Sequence, residues 1–316
     1  MGSAAGAAAG LAQLDALVAE MGLELRADTP LAPLTTLRVG GPADRLADAR
    51  DRESLLSLLR IARQADVPAF VLGNGSDLVV ADSGIRGLVI RNRAKVASIV
   101  DGQLVAEAGS PMAMLVKRCT AEALTGLEFG ISIPGTLGGA VWANAGAHDG
   151  EMRGVIDWVD AWQPASDTVA RLGAAECAFG YRESRFKHGD EVVLAAAIRL
   201  RSGDADAIAA EVAAHQAKRQ ATQPLADQNA GSVFRNPPGD HAGRLIEAAG
   251  LKGHRLGSAT VSTLHANFIV TDRGARATDV RALGELVRAT VADRFGVQLA
   301  YEIEFVGDWD APEGEA

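Results

Sequence analysis

Two glycine-rich stretches constrain the fold of this chain more than any other feature of the sequence. They cover residues 73–77 and 133–147, and each lies beside an apolar segment with the character of a strand. Glycine lets backbone N–H groups approach an anion without a Cβ in the way, and Ser76 and Thr136 add hydroxyl donors. A tight turn explains one such stretch equally well, but the pair favours a nucleotide-type cofactor held by its pyrophosphate.

Neither stretch has the spacing of the two commonest nucleotide-binding motifs. The G-x-G-x-x-G spacing of a Rossmann turn is absent from both, and no Gly-Lys-Ser/Thr follows either of them as in a P-loop. The sequence therefore favours a nucleotide-type cofactor that is bound by neither a Rossmann turn nor a P-loop.

Charge and composition narrow the range of partners. The chain has 316 residues and a formal net charge of −9. This charge argues against nucleic acid or an anionic membrane as partner, although local arginine clusters can still bind a phosphorylated ligand. Residues 1–10 lack the basic and Leu-rich segments of a signal peptide, and no apolar run reaches the roughly 18 residues of a membrane span. We therefore expect a cytoplasmic protein with small-molecule ligands.

Hydrophobic periodicity predicts a mixture of helices and strands. Helices are predicted over residues 51–66 with Asp51 as N-cap, over 112–122, 204–220 and 242–249, and from Thr278 as N-cap to Gly296. Strands are predicted over residues 67–72, 78–80, 88–91, 103–107, 155–162 and 192–199. Residues 1–20 are predicted to form a flexible tail.

The segment 297–306 is predicted to be a strand with two different faces. Its apolar face carries Val297, Leu299, Tyr301, Ile303 and Phe305. Its polar face carries Glu302 and Glu304. A solvated outer face is the ordinary explanation for such carboxylates. Because they lie opposite the core-facing side chains, Glu302 and Glu304 are also candidates for a functional site.

The cysteines and histidines do not form a metal-binding pattern. Cys119 and Cys177 have neither metal-ligand spacing nor a disulfide pattern, and we expect both to be buried. The six histidines lack an H-E-x-x-H motif, and His265, which precedes an apolar segment, is expected to be structural. No metal is therefore expected.

Short motifs follow one another along the chain in a specific order. They are Thr-Thr-Leu-Arg-Val-Gly-Gly-Pro-Ala at 35–43, Leu-Gly-Asn-Gly-Ser-Asp-Leu at 72–78, the glycine-rich stretch 133–147, Phe-Gly-Tyr-Arg-Glu-Ser-Arg-Phe at 179–186, Ala-Gly-Ser-Val-Phe-Arg-Asn-Pro at 230–237, Ala-Gly-Arg-Leu-Ile-Glu at 242–247, His-Ala-Asn-Phe-Ile-Val at 265–270 and Tyr-Glu-Ile at 301–303. From about residue 34 to 307 this set resembles the UDP-N-acetylenolpyruvoylglucosamine reductase family.

The resemblance implies an α+β fold. Residues 21–202 would form an FAD-binding domain of the vanillyl-alcohol-oxidase (PCMH) type, in two subdomains of about 21–92 and 93–202. Residues 203–316 would form an α+β substrate-binding domain. The implied reaction is the NADPH-dependent reduction of UDP-N-acetylglucosamine enolpyruvate to UDP-N-acetylmuramate, in peptidoglycan precursor synthesis, with non-covalent FAD and a monomeric enzyme.

The resemblance also implies the roles of individual residues. Arg182 would bind the substrate carboxylate and the developing charge, Ser232 would donate a proton, and Glu302 would assist Arg182. FAD would be bound by Gly73, Asn74, Gly75, Ser76, Asp77, Leu78, Ile133, Pro134, Gly135, Thr136, Gly138, Gly139, Asn144, Ala145 and Gly146. Substrate would be bound by Tyr181, Arg235, Asn236, Arg244 and Lys252, of which the three basic residues are also candidates for the diphosphate on local chemistry.

The chain departs from the family pattern at three places. Asp77 replaces an asparagine, so its carboxylate is expected to face away from the pyrophosphate or to accept from a backbone amide. Thr271 also replaces an asparagine. The segment between Tyr181 and Val192 has no insertion, as in the shorter class that lacks an extra tyrosine-bearing loop.

Two alternative functions remain open at this point. One is an FAD-dependent oxidase or dehydrogenase of the same fold, acting on an alcohol or a hydroxy acid, in which His148 beside the second glycine stretch could attach the flavin. The other is a flavin-binding protein without turnover. The oxidase or dehydrogenase would not need Ser232 together with Glu302. The set of Arg182, Ser232 and Glu302 argues against a protein without turnover.

Overall fold

The computed structural model describes residues 4–309 of the chain. Its α-helices are α1 (Ala4–Glu20), α2 (Arg52–Gln64), α3 (Met112–Ala121), α4 (Leu137–Trp142), α5 (Ala205–Thr222), α6 (Ala242–Ala248) and α7 (Ala277–Phe295). Its strands are β1 (Leu25–Pro30), β2 (Pro42–Ala49), β3 (Ala69–Leu72), β4 (Leu78–Val80), β5 (Ile85–Asn92), β6 (Ala97–Val100), β7 (Gln103–Glu107), β8 (Leu124–Thr125), β9 (Gly146–Ala147), β10 (Gly150–Glu151), β11 (Ile156–Gln163), β12 (Thr168–Gly173), β13 (Val192–Arg199), β14 (Arg201–Ser202), β15 (Gln228–Asn229), β16 (Arg255–Leu256), β17 (Ala259–Val261), β18 (Ile269–Thr271) and β19 (Glu304–Val306). The predicted α+β class is confirmed.

The chain divides into two compact units that are interleaved in sequence. The first unit contains residues 4–26, 46–74 and 87–219. The second contains residues 27–45, 75–86 and 220–309. The predicted boundary at 202/203 is a single cut, whereas the second unit also takes two segments from early in the chain. Residues 310–316, part of the predicted substrate-binding domain, lie outside the described residues.

An antiparallel sheet of five strands forms the larger part of the first unit. Its order is β12-β11-β13-β7-β6. The central strand β13 has Ala196 opposite Val159 of β11 on one side and Ala106 of β7 on the other. Its run of small and apolar residues is buried from Val193 to Ile198, as expected for a strand covered on both faces. Helices α3 and α4 contribute to the same core.

Helix α2 and strand β3 form a second layer of the first unit. Asp51 is the N-cap of α2, as predicted, and it accepts a 2.7 Å hydrogen bond from the backbone N–H of Ser54. Strand β3 pairs in parallel with β5, in a four-stranded sheet of order β1-β2-β5-β3. The helix buries Leu55, Leu58 and Leu59 on its inner face.

Helix α1 corrects the prediction of a flexible tail over residues 1–20. Residues 4–20 form this helix, while residues 1–3 lie outside the described part of the chain. Leu14 and Val18, four residues apart on one face, are fully buried in the core that also contains the inner face of α2. A few apolar residues at helical spacing are therefore enough to fold an alanine-rich segment onto the domain.

The second unit is built around α7 and a four-stranded antiparallel sheet. The strand order is β15-β18-β17-β16, and α6 and α7 share its core. Helix α7 ends at Gly296, as predicted, in the left-handed conformation at φ 68°. Thr278 is not its N-cap, because the helix begins one residue earlier. Instead Asp82 accepts hydrogen bonds from the backbone N–H groups of Ala277 (2.8 Å) and Thr278 (2.9 Å).

The predicted strand over residues 297–306 is a strand only over Glu304–Val306. These residues pair in parallel with β4, with Glu304 opposite Leu78. The predicted alternation is nevertheless confirmed, since Leu299 and Ile303 are buried in the core. The segment before β19 pairs with residues 233–235 through an isolated bridge between Tyr301 and Phe234 and its flanking hydrogen bonds, which is too short a ladder to count as a strand.

In the described part of the chain, no helix combines the length and the apolar character needed to cross a membrane.

Candidate functional site

The two glycine-rich stretches contact each other within the first unit. The side-chain amide of Asn74 donates a 2.9 Å hydrogen bond to the backbone carbonyl of Pro134. A Cβ added to Gly73 would lie 2.7 Å from Oγ1 of Thr136, so only glycine fits at this point. The structure therefore brings together the first two residues of one stretch and the beginning of the other.

The rest of the first stretch belongs to the second unit. Gly75 adopts φ +60°, and its carbonyl accepts a 2.9 Å hydrogen bond from the N–H of Thr36. The carbonyl of Asp77 accepts from the N–H of Glu304 at 2.9 Å. The end of this stretch thus runs directly into β4 and lies beside the strand that follows Glu302.

The second stretch is anchored on the segment that follows β7. The N–H groups of Leu137 and Gly138 donate to the carbonyls of Ser110 and Ala108, both at 2.8 Å. These two amides therefore bind the protein itself. Thr136 is the N-cap of α4, and Gly139 is exposed. The hydroxyl of Ser110 is fully buried and has no hydrogen-bond partner in the described structure.

Arg182 lies in a tight turn with a left-handed backbone conformation. Gly180 and Glu183 exchange two backbone hydrogen bonds, of 2.9 and 3.1 Å, and Arg182 between them has φ +56°. Its Nη2 donates to the carbonyl of Gly146 at 3.0 Å, and its guanidinium carbon lies 5.1 Å from the ring centroid of Tyr181. Arg182 is thereby joined to the second glycine-rich stretch. The Tyr181 side chain is 48% exposed.

Asn144 supports this turn from inside the protein. Its side-chain amide donates to the carbonyl of Gly180 (2.7 Å) and to Oε2 of Glu151 (2.9 Å), and its Oδ1 accepts from the N–H of Arg153 (2.9 Å). The residue is fully buried. Its polar side-chain atoms thus bind protein groups, whereas the sequence predicts contacts with the cofactor.

Ser232 lies at the start of an extended segment of the second unit. It follows Gly231, which has φ +78° and whose N–H donates to Oδ1 of Asn229 at 3.0 Å. The next two residues, Val233 and Phe234, are held by Asn267. The Asn267 backbone carbonyl accepts from the N–H of Val233, and its side-chain amide exchanges two hydrogen bonds with the backbone of Phe234.

Glu302 runs alongside Ser232 in the same unit. The N–H of Glu302 donates to the carbonyl of Val233 at 2.9 Å, and the N–H of Arg235 donates to the carbonyl of Ala300 at 2.9 Å. The two segments are therefore antiparallel neighbours, so the structure brings the backbones of these two catalytic candidates together. Arg182 belongs to the other unit.

The remaining substrate candidates of the second unit have internal contacts. Arg244 forms an ion pair with Asp240, and this hydrogen bond lowers the pKa of Asp240 to about 2. Lys252 Nζ lies 2.9 Å from Oε1 of Glu247. Oδ1 of Asn236 accepts from the N–H of Ala242 at 3.0 Å, at the start of α6.

His148, the candidate for covalent attachment, stacks on a second histidine. The ring centroids of His148 and His215 are 3.9 Å apart and their planes differ by 8°. Nε2 of His148 lies 2.8 Å from Oγ of Ser132. Burial lowers the pKa of His148, and the nearby His215, Lys218 and Arg219 lower it further, against the opposing charge of Asp149.

Sequence reasoning missed the structural role of two asparagines, Asn144 and Asn267, that organise these segments. Asn267 lies in the His-Ala-Asn motif, and Asn144 lies in the second glycine-rich stretch, so the motifs mark them as important. Their hydrogen-bond partners could not be predicted, because each asparagine binds backbone that is distant in sequence. Asn267 binds Phe234, and Asn144 binds Gly180. In residues 4–309 no group of three or more His, Cys, Asp or Glu side chains could hold a metal ion.

Comparisons with known proteins agree with this arrangement. Residues 223–306 match the family model of the UDP-N-acetylenolpyruvoylglucosamine reductase C-terminal domain, and residues 43–172 match an FAD binding domain. UDP-N-acetylenolpyruvoylglucosamine reductase 2 from Symbiobacterium thermophilum is 44% identical over 93% of this chain and 96% of its own. The reductase from Myxococcus xanthus is 44% identical over 91% of this chain and 94% of its own.

A solved structure shares the fold as well. The crystal structure of UDP-N-acetylenolpyruvylglucosamine reductase from Thermus caldophilus has a TM-score of 0.76 and 34% identity, and covers 90% of this chain and 98% of that one. The predicted FAD-binding fold with a further C-terminal domain is thereby confirmed. The chain belongs to the UDP-N-acetylenolpyruvoylglucosamine reductase family.

Proposed function

We propose that this chain reduces UDP-N-acetylglucosamine enolpyruvate to UDP-N-acetylmuramate, with NADPH as hydride donor, in peptidoglycan precursor synthesis. The proposal is supported by the family of the chain. Relatives named as this reductase match the chain over most of their own length. The observation that carries it is the contact of Arg182 with Gly146, at 3.0 Å. The arginine that we propose to bind the carboxylate is thereby held at a glycine-rich stretch of the FAD-binding domain.

The residues of the two glycine-rich stretches fit FAD. A Cβ added to Gly139 would meet no heavy atom closer than Thr136 Oγ1 at 3.8 Å, so this exposed backbone leaves room for a ligand. The buried hydroxyl of Ser110, with no partner in the described structure, is a further polar group beside the stretch. When bound, FAD supplies the transfer of hydride from NADPH to the substrate. We assign its binding to the residues predicted for it in both stretches other than Asn144, whose fully buried side chain binds Gly180, Glu151 and Arg153.

Three side chains are proposed to act on the substrate itself. Hydride addition to the terminal vinyl carbon leaves negative charge that spreads from the other vinyl carbon into the carboxylate. The guanidinium of Arg182 matches the carboxylate in geometry and stabilises this charge. Glu302 assists as a hydrogen-bonding acid. The hydroxyl of Ser232 then donates its proton to the vinyl carbon that carries the charge.

Serine suits this last step only because the carbon is strongly basic. A hydroxyl is a weak acid, so the proton moves to a carbanion-like centre but not to an ordinary base. Removing a positioned proton donor costs about 10²–10⁴-fold in rate. Cysteine could replace serine in principle, since its thiol also carries a proton.

The test follows NADPH oxidation by the purified, flavin-containing protein with and without UDP-N-acetylglucosamine enolpyruvate. We expect substrate-dependent oxidation that is lost in Ser232→Ala while the flavin absorbance is retained. Ser232→Cys is the matched control and should keep part of the activity. Flavin that is reduced by NADPH but never reoxidised by this substrate would refute the proposal and favour an oxidase or dehydrogenase. The stacking of His148 on His215 gives no support to covalent attachment.

We further propose that residues 21–202 bind the cofactor and residues 203–316 the substrate, through Tyr181 from the former and Arg235, Asn236, Arg244 and Lys252 from the latter. To bind the diphosphate, Arg244 would break its ion pair with Asp240, and Lys252 would break its ion pair with Glu247. The enzyme is proposed to work in the cytoplasm as a monomer, which gel filtration at working concentration would test.

A further inference from the structure

The side chain of Asn144 is buried beside the turn of Arg182, and all of its polar atoms are hydrogen-bonded to protein groups. It is 0% exposed, its amide makes two donor contacts, to Gly180 and Glu151, and its oxygen accepts one hydrogen bond. Its backbone has φ +43°, a conformation that asparagine adopts more readily than most residues. A side chain in this state contacts neither substrate nor cofactor, so any effect on catalysis has to pass through its neighbours.

Those neighbours hold Arg182 at both ends. The Gly180 carbonyl that Asn144 binds begins the tight turn in which Arg182 has φ +56°. The Gly146 carbonyl that accepts from the Arg182 guanidinium lies two residues after Asn144 in the chain. Asn144 therefore fixes the turn that carries the arginine to the strand that holds its charged end. Ser184 adds a second link, because its hydroxyl donates to the carbonyl of Trp142 at 2.6 Å.

We propose that Asn144 is a positioning residue that sets the place of the Arg182 guanidinium for the reduction of the enolpyruvyl group; this rests on the function proposed above. An arginine has many rotamers, and its use as a carboxylate ligand depends on holding one of them. A displacement of about 1 Å at a group that stabilises the transition state can cost on the order of 10²-fold in rate. We expect the effect on kcat of the substrate half-reaction, because Arg182 is proposed to bind the substrate carboxylate and NADPH has no carboxylate.

The test uses Asn144→Asp, which keeps the size and the left-handed preference of the residue but removes its N–H donors. Asn144→Asp should lower kcat with the enolpyruvyl substrate by about 10–100-fold. Reduction of the bound flavin by NADPH should change by less than about twofold, because it is a separate step. Asn92→Asp is the matched control: Asn92 is also a buried asparagine of the first unit, and its Oδ1 accepts from the N–H of Ala94. It should leave kcat within about twofold.

The double variant Asn144→Asp/Glu151→Gln separates positioning from a merely structural role. The amide introduced by Glu151→Gln can donate to the new carboxylate, so the lost contact between these two positions is restored and stability should recover. The Gly180 carbonyl still faces an oxygen, so kcat should stay low. Recovery of kcat together with stability would overturn the proposal. Where the aspartate variant does not fold, Asn144→Gly, which tolerates the same φ, takes its place.

A double-mutant cycle with Arg182→Lys tests whether the effect passes through the arginine. If it does, Asn144→Asp should cost far less in kcat in the lysine background than in the native protein. Fully additive effects would overturn the proposal. A native protein without substrate-dependent turnover would refute the proposed function instead. The positioning role would then be tested by hydrogen exchange at the Glu183 amide. Exchange should accelerate in Asn144→Asp and in the double variant Asn144→Asp/Glu151→Gln, and unchanged exchange would refute the role.

Discussion

Replacing Asp160 by asparagine removes the charge from a carboxylate that two arginines share. Asp160 lies on β11, and its side chain is 7% exposed. Nη1 of Arg52 donates to Oδ2 at 3.0 Å, and Arg171 donates through Nε (2.8 Å) and Nη2 (3.1 Å). The Arg171 guanidinium also stacks at 3.6 Å from the ring centroid of Trp158. The three hydrogen bonds join Arg52, Asp160 and Arg171 into one cluster at β11, which is next to the edge strand β12 of the five-stranded sheet.

The magnitude follows from the burial of the partners. Breaking a fully buried ion pair costs about 3–5 kcal/mol, because the remaining charge is left without a partner. Here the side chains of Arg52 and Arg171 are 34% and 59% exposed, so water can replace the lost carboxylate. We therefore expect Asp160→Asn to lower the free energy of unfolding by about 2–3 kcal/mol, between the buried value and the roughly 0–1 kcal/mol of a surface pair.

The pH dependence has a definite sign. Burial raises the pKa of Asp160, but the hydrogen bonds from Arg171 and Arg52 outweigh it and hold the pKa below its ordinary value of 3.8. A carboxyl group with a lowered pKa contributes its full stability above pH 3.8 and loses it as the pH falls through the folded-state pKa. The cost of Asp160→Asn should therefore be the same at pH 6 and pH 8.

Equilibrium unfolding in urea, followed by circular dichroism, measures this cost from the shift of the midpoint. Asp157→Asn is the matched control on the same strand, where Arg199 Nη1 lies 3.1 Å from a carboxylate that is 34% exposed. It should cost less than about 1 kcal/mol. If Asp160→Asn costs no more than Asp157→Asn, or if its cost changes between pH 6 and pH 8, the reasoning is refuted.

Three further predictions concern groups outside the catalytic set. Burial raises the pKa of Cys119 to about 12 and that of Cys177 to about 11, so neither thiol should react with a disulfide reagent at pH 8 until the protein is unfolded; rapid labelling of the native protein would contradict this. The pKa of His148 is lowered from 6.5, so the folded state resists protonation of this histidine and the free energy of unfolding should fall as the pH drops below 6.5. In His148→Gln this pH dependence should weaken. An unchanged dependence in urea unfolding experiments would exclude His148 as its source. Asp82→Ala removes the carboxylate at the start of α7 and should cost about 1–2 kcal/mol in urea unfolding, with Asp82→Asn costing less because one acceptor remains; equal losses would show that the hydrogen bonds do not matter.

Local patterns predicted best those elements in which apolar residues recur regularly along the sequence. The bounds of β4, β7 and β13 agree with the predicted strands at every residue, and α2 begins after its predicted cap. Strands β6 and β12 were missed because they lie at the two edges of the sheet, where exposed residues dilute the apolar alternation.

Contacts between distant segments were beyond the reach of sequence patterns. The helix α7 is capped by Asp82, which is 195 residues from Ala277, so no local rule could replace Thr278 as the expected cap. The same holds for the interleaved division of the chain, which depends on which early segments pack with the late ones. At the candidate site, motif order predicted Arg182, Ser232 and Glu302 as catalytic residues. The role proposed for Asn144 could not be predicted in this way, because it depends on the hydrogen bond from Asn144 to the carbonyl of Gly180, 36 residues away.

The parallel pairing of β4 with β19 has a consequence for synthesis on the ribosome. Leu78–Val80 emerge early, while their partners Glu304–Val306 are made last among the paired strands. At a translation rate of about 5–20 residues per second, β4 waits for roughly ten seconds or more with an unsatisfied edge. During this interval it can associate with other chains, so nascent chains arrested before Glu304 should be clients of chaperones that bind exposed strands, and release of the full chain should end that dependence.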